Sequence, residues 1–363
     1  MSKKLKTILT STFITVTLSI GSYFVYKHFE KSKPKTFINP IYSREQLGEL
    51  YGKDLSKVKE KFIFTKSSDL KLFISDYLDY NKLRDRIDLN FIDVSQIKDL
   101  NHVFSGEFDV IEKDKFKEED FKNLNVVQID SNYSVCKSPF SYNIDISRWD
   151  TRNVTTLGYT FACSLVDFNI SNWNTSNVTN MHGAFMLAIN FNSDISNWNT
   201  ERVTSLNSTF AGAKSFAGDL SKWNVSNVED LNYTFFQARE FNSDLSNWDV
   251  SNVTNMRFTF ALAEKFTSDL SKWKVSNVRS FFATFAWAYN FYSDLSQWNV
   301  SNAVILNYMF AFTHFSTNLN DWNLSSVKYA QGTFLNSEFR ESDFVTWKNK
   351  VPSLYSKLRL FEE

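Results

Sequence analysis

The sequence predicts an α/β solenoid: a leucine-rich-repeat-like stack of about ten coils, built from short parallel strands and short helices and closed at its start by a helical cap. Three observations predict it. Tryptophan recurs every 24 or 25 residues, at Trp149, Trp173, Trp198, Trp223, Trp248, Trp273, Trp298, Trp322 and Trp347, and only Trp287 falls outside the series. Twelve residues after each tryptophan through Trp322 comes a phenylalanine: Phe161, Phe185, Phe210, Phe235, Phe260, Phe285, Phe310 and Phe334. Inside each interval one apolar pattern suits a strand and another suits a helix. A fixed period of this size marks a unit too small to bury its own apolar face, which stacks on copies of itself to do so.

Each element follows from the coil that begins at Phe241. Leu245, Trp248 and Val250 fall in an extended stretch and read as the strand, with neighbouring strands expected about 4.8 Å apart. Ser251 and Asn252 follow, with side-chain oxygens able to accept from the free N–H groups of a helix. Val253, Met256, Phe260 and Ala263 then make one apolar stripe at helical spacing. The tryptophan and phenylalanine columns are assigned to the buried core, each ring hiding roughly 150–250 Å². Small residues three places after the phenylalanine, such as Ala213, Ala238, Ala263 and Ala288, leave room for the next coil.

The pattern extends upstream. Asp88 to Ser95 matches a coil with Ile92 in the tryptophan slot, followed by Ile97, Leu100 and Phe104, and a second degenerate coil is expected around Leu124, with Asp120, Val126 and Ile129 in register. A charged insertion near 107–119 separates the two. The solenoid is thus placed at 88–347. Residues 36–87 are expected to be a linker and a capping helix, Ser67 to Leu78, whose N-terminus the serines would cap. Residues 348–363 are read as a C-terminal cap. Residues 1–35 carry Lys3, Lys4 and Lys6, then an uncharged run from Thr7 to Tyr26, then Lys27, Lys31, Lys33 and Lys35. That pattern fits an N-terminal membrane anchor or a cleaved signal peptide; either exports the repeats.

The coil motif D-L-S-x-W-x-V-S-N-V-x-x-M/L-x-x-x-F-x-x-A resembles the BspA-type leucine-rich repeat surface proteins of bacteria, the DUF285 repeat class, over residues 88–347. The resemblance implies a cell-surface solenoid, some members of which act as adhesins, with no catalytic residues to carry over. The chain departs from the commonest pattern where phenylalanine or threonine replaces the methionine ahead of the repeat phenylalanine.

Composition narrows the function. Forty basic and forty acidic side chains cancel, leaving no electrostatic footprint for nucleic acid. His28, His102, His182 and His314 lack metal spacing, and nine glycines form no phosphate-cradling loop. No cofactor and no catalytic constellation is expected. Cys136 and Cys163 are read as small buried residues that lie close together or apart, since two thiols make no disulfide framework. Asp194, Asp219, Asp244, Asp269 and Asp294 stand four residues before successive tryptophans, stacked about 5 Å apart if the coils are in register. Each carboxylate either accepts from its own turn, the favoured reading, or the column binds Ca²⁺. Phe258, Leu262, Trp287, Tyr289, Tyr292, Tyr308 and Phe312 vary from coil to coil and are the candidate partner-binding band. The expected function is a non-catalytic, surface-anchored adhesion scaffold for a protein on a host cell, in the matrix or on a neighbouring bacterium. A structural or antigenically variable coat and a carbohydrate-binding module are the alternatives.

Overall fold

The computed structural model describes Leu55 and residues 61–112, 126–129 and 132–359. The expected anchor or signal at 1–35 lies outside the described residues, as do Leu124 and most of the charged insertion. No helix among the described residues is long and apolar enough to cross a membrane.

Successive segments of about 25 residues lie side by side along a parallel ladder. Its rungs run from Asp99 to Thr156, Asn180, Ser205, Asp230, Asn255, Ser280, Ile305 and Tyr329, each paired with the next. In the coil of Trp248, alternate amides donate forward: Met256 to Ser280 O at 3.0 Å, and Phe258, Phe260 and Leu262 to Phe282, Thr284 and Ala286 O, each at 2.9 Å. The amides between them turn back on their own coil, Thr259 to Met256 O, Ala261 to Phe258 O and Ala263 to Phe260 O. Every amide in the stretch is therefore satisfied, half within the coil and half by its neighbour.

The helix expected in each coil is absent. Among the described residues from 146 to 340 the chain forms turns, not α-helix. The reason is backbone hand. Phe258 and Leu262 hold φ of 53° and 59°, and the same two places are left-handed in neighbouring coils, at Tyr233 and Gln237, Ala283 and Trp287, Tyr308 and Phe312. An α-helix requires every residue right-handed. A left-handed residue every fourth position unwinds it and frees alternate amides for the next coil. The apolar stripe read as helical is the inward side of this folded ladder. The expected strand at Leu245–Val250 is also a turn, closed by Trp248 N–H on Leu245 O at 3.0 Å. Asn252 caps no helix either; its Nδ2 reaches back to Ser226 O at 2.6 Å.

The start of the array differs from expectation in one further place. β1 (Phe62–Ile63) pairs in parallel with β3 (Ile92–Asp93), and β2 (Ile87–Asp88) pairs in parallel with β7 (Ile144–Asp145). The Ile92 coil therefore pairs directly with the Trp149 coil, where the sequence reading had set a second degenerate coil between them. The described residues of the intervening chain include a three-stranded antiparallel sheet, order β4-β6-β5, from Glu107–Glu112, Asn132–Ser138 and Val126–Ile129. Ile129 faces Asn132 across this hairpin. Strands joined that tightly satisfy each other and cannot take part in a ladder whose partners lie a coil away.

Both ends of the core are covered. Helix α1 (Ser67–Asn81) buries Leu70, Phe73, Ile74, Tyr77 and Leu78. Phe73 lies 5.7 Å from Phe62 and 5.3 Å from Phe64, and Tyr77 meets Phe91 edge-on at 5.4 Å. Its N-terminus carries no side-chain cap; the Ser67 hydroxyl donates to the Asp99 carbonyl instead. At the far end α2 (Trp347–Lys350) and α3 (Pro352–Tyr355) lead to Lys357 and Leu358. Their carbonyls accept the last forward amides, Gly332 at 2.9 Å and Phe334 at 2.8 Å.

Candidate partner-binding face

Inside the array the columns are built from one contact repeated. Each of the nine tryptophans of the periodic series, Trp149 to Trp347 without Trp287, donates its indole N–H to the preceding coil, at 2.9–3.2 Å, onto the residue that stands three places before that coil's own tryptophan or its equivalent. A leucine would fill the same volume without tying the coils together. The repeat phenylalanines stack at 5.3–6.0 Å from Phe161 to Phe334. A second column, Phe191, Phe216, Phe241, Phe266 and Phe291, stacks beside them at 5.6–5.9 Å. Buried threonines bind the same ladder: Thr259 Oγ1 donates to Leu231 O at 3.0 Å, and Thr284 Oγ1 to Met256 O at 2.8 Å.

The aspartate column sits on the turn before each tryptophan. One oxygen of Asp194, Asp219, Asp244, Asp269 and Asp294 accepts the N–H of the serine two residues on, at 2.9 Å in every coil. Hydrogen bonds from that serine, led by its N–H at the last four and by its hydroxyl at Asp194, hold these carboxyls below the ordinary range. Hydroxyls of the following coil add to this, Ser293 on Asp269 at 2.9 Å and Thr317 on Asp294 at 3.0 Å. The carboxylates are thus engaged by serine and threonine donors. Among the described residues no three His, Cys, Asp or Glu side chains are grouped to hold a metal ion.

The ladder separates the core from a second, smaller apolar cluster on its other side. The left-handed positions and their neighbours point there: Tyr233, Phe236, Ala261, Ala283, Ala286 and Ala311 are buried in it. Of the seven expected band residues, Phe258, Leu262, Trp287, Tyr308 and Phe312 pack against this cluster, half-buried. Tyr289 and Tyr292 do not. They are 41% and 74% exposed, and their rings lie against His314 at 5.7 Å and Phe315 at 6.1 Å. The five that converge form a ridge: Trp287 stacks on Phe312 at 4.7 Å and 7°, Phe258 on Tyr233 at 4.8 Å and 11°, and Phe282 bridges Phe258 and Tyr308 at 5.2 and 5.8 Å. Arg257 lies over the Phe282 ring at 5.3 Å. Sequence reading missed Tyr233, Phe236, Phe282 and Arg257. Counting nine and ten residues on from each ladder tryptophan gives His182, Arg257 and Phe282, then Tyr159, Tyr233, Phe258 and Tyr308, so the signal was present as an offset.

At its upstream end the same face carries the inserted sheet. Phe108 lies 5.7 Å from Tyr159 and 6.1 Å from His102, whose ring stacks on Tyr159 at 5.0 Å. The Tyr159 hydroxyl meets His182 Nε2 at 2.5 Å. Burial lowers the pKa of both histidines and raises that of Tyr159. Cys136 of β6 and Cys163 of the second coil are not separate thiols: they form a disulfide, Cα–Cα 5.5 Å, that pins the sheet to the ladder. The antiparallel pairing of β6 with β4, which sets Cys136 opposite Phe108, is what brings Cys136 there. Gly106 sits at the junction, where a Cβ would stand 2.5 Å from the carbonyls of both Cys163 and Ser138.

A family model described as "Mycoplasma protein of unknown function, DUF285" matches residues 75–169, 161–261 and 234–347. No curated protein and no solved structure matches the chain.

Proposed function

The chain belongs to the DUF285 repeat family, and on that premise we propose that it is an exported, non-catalytic protein whose repeat array is a protein-binding scaffold on the cell surface. The finer kinship, to BspA-type leucine-rich repeat solenoids, belongs to the same proposal. The ridge from Phe258 to Phe312 is the observation that carries it. The core columns repeat from coil to coil, while this face changes residue at each coil, as a surface selecting one partner must.

Two further features support the reading. A disulfide between Cys136 and Cys163 suits an oxidising compartment, since such bonds are rare in a reducing cytosol. The uncharged run Thr7–Tyr26 between lysines suits anchorage or export through the N-terminus. Ring geometry favours a protein over a sugar. Trp287 and Phe312 stack on one another, so each covers a face that a sugar ring needs, and the ridge offers edges and aliphatic side chains. A coat protein with no dedicated ligand remains the second reading, favoured by the uniformity of the core columns, which lets coils be gained or lost without changing the contact between neighbours.

Surface labelling of intact cells combined with adhesion of the purified chain to matrix proteins and whole cells tests the proposal. Labelled chain and saturable adhesion are expected. Labelling without adhesion favours the coat reading, and absence of labelling ends both.

A further inference from the structure

The inserted sheet meets the ladder at a cluster of rings that holds two of the chain's four histidines. His102 stacks on Tyr159 at 5.0 Å and 10°, and Phe108 of β4 closes the triangle, 6.1 Å from His102 and 5.7 Å from Tyr159. The Tyr159 ring leans across the next coil until its hydroxyl meets His182 Nε2. Gly183 leaves the space for it, since a Cβ there would stand 2.5 Å from the Tyr159 ring. Neutral imidazoles suit this place and charged ones do not. A protonated ring carries two N–H donors. Among the described residues neither ring nitrogen of His102 has a hydrogen-bond partner, and His182 has one only at Nε2. Helix α1 turns Lys71, a like charge, toward His102. The carboxylates that face the pair are held elsewhere: Asp99 accepts Asn101 N–H at 2.7 Å, and Asp230 accepts Asn232 N–H and Asn207 Nδ2, each at 2.8 Å. Burial, joined by Lys71 at His102, holds both imidazoles below their ordinary range against the pull of Asp99 and Asp230. The stabilisation they give is fully present above the unfolded value near about pH 6.5 and is lost as pH falls through the folded values.

We propose that His102, Tyr159, His182 and Phe108 form an acid-released clasp: protonation of the two imidazoles loosens the inserted sheet from the ladder and uncovers the upstream end of the outer face. Phe108 is the sheet's ring in the cluster, so a charged His102 beside it weakens the contact that carries the sheet. Two backbone bonds at the base of the sheet serve as its hinge, Gly106 N–H on Ala162 O at 2.9 Å and Phe140 N–H on Cys163 O at 3.0 Å. The Cys136–Cys163 disulfide keeps the loosened sheet tethered, so the clasp closes again when the rings lose their protons. One comparison shows what the sheet covers. Leu187 lies beside Cys163 in the ladder and is 1% exposed, whereas Leu262, the same residue at the same place three coils on, is half-buried. The device is independent of what the outer face binds.

Hydrogen exchange of the full, oxidised chain, read by mass spectrometry at about pH 7.5 and about pH 5.5 and corrected for the intrinsic rate at each, tests the clasp. Protection is expected to fall about tenfold on acidification in peptides that cover residues 102–112 and 158–164, and to hold in the coils after Trp223. His102→Gln with His182→Gln, whose side chains cannot take up a proton, should show the same protection at both pH values. Each variant is compared with itself across pH, so a general loss of stability does not imitate the result. His102→Phe with His182→Gln, which keeps the stacked ring, gives the same reading if the first pair folds poorly. Equal protection of the parent at both pH values overturns the clasp. So does an acid response that either double variant retains, or one spread evenly over all coils.

Discussion

Trp273 and Trp287 belong to the same coil and do opposite work. Trp273 is 3% exposed, lies between Trp248 at 6.4 Å and Trp298 at 6.5 Å, and donates its N–H to Leu245 O. Trp287 sits across the ladder in the left-handed region, half-buried, against Phe312. The first is one copy of a contact that every coil makes; the second occurs once. Periodic columns hold the coils together, and the places where the period breaks are where one coil is made different from another.

That contrast can be broken most directly by truncation. Trp273→Ala removes a buried ring and one of the two donors to Leu245 O, which keeps only the Trp248 N–H, and is expected to cost about 3–5 kcal/mol. Trp287→Ala is expected to cost about 1 kcal/mol or less. Urea unfolding followed by circular dichroism measures both; equal losses would erase the distinction between spine and ridge.

The disulfide sharpens the same comparison at the upstream end. Cys136→Ser opens a loop of 27 residues and is expected to cost about 3–4 kcal/mol by chain entropy. Hydrogen exchange should rise in the inserted sheet and at Cys163 and stay unchanged in the coils after Trp223. A uniform rise would mean that sheet and ladder unfold as one unit.

The smallest effect is that of acid. The carboxyls of Asp194, Asp219, Asp244, Asp269 and Asp294 are held below their unfolded pKa by hydrogen bonds from serine. Their stabilisation is fully present above roughly pH 5 and is lost as pH falls through the folded values. The urea midpoint should therefore fall between pH 5 and pH 3, and Asp244→Asn with Asp269→Asn should flatten that fall. An unchanged slope would remove the column from the forces that hold the turns.

Much of this was legible in the sequence, and the misreadings have physical causes. The spacing of Trp149 to Trp347 placed the spine, and Asp88 to Ser95 placed the first coil. The apolar stripe Val253, Met256, Phe260 and Ala263 was read as a helix because spacing records which residues face inward and is silent on backbone hand; Phe258 and Leu262 at positive φ are not residues from which a left-handed turn is expected. Leu124 matched the coil pattern, yet its neighbours from Val126 to Ser138 satisfy one another as a hairpin. The disulfide followed from that hairpin and was hidden with it. On the outer face, Tyr289 and Tyr292 lie near Trp287 in the sequence but do not join its cluster.

The account stands on coils lying side by side at a constant interval, and spin labels measure that interval. Asn172, Asn247, Lys272 and Gln297 occupy the exposed place just before their tryptophans. Pairing a label at Asn172 with one at Asn247, Lys272 and Gln297 in turn should give backbone separations that grow by about 4.8 Å per coil, to roughly 24 Å at Gln297. Separations that do not rise in step with coil number would contradict it.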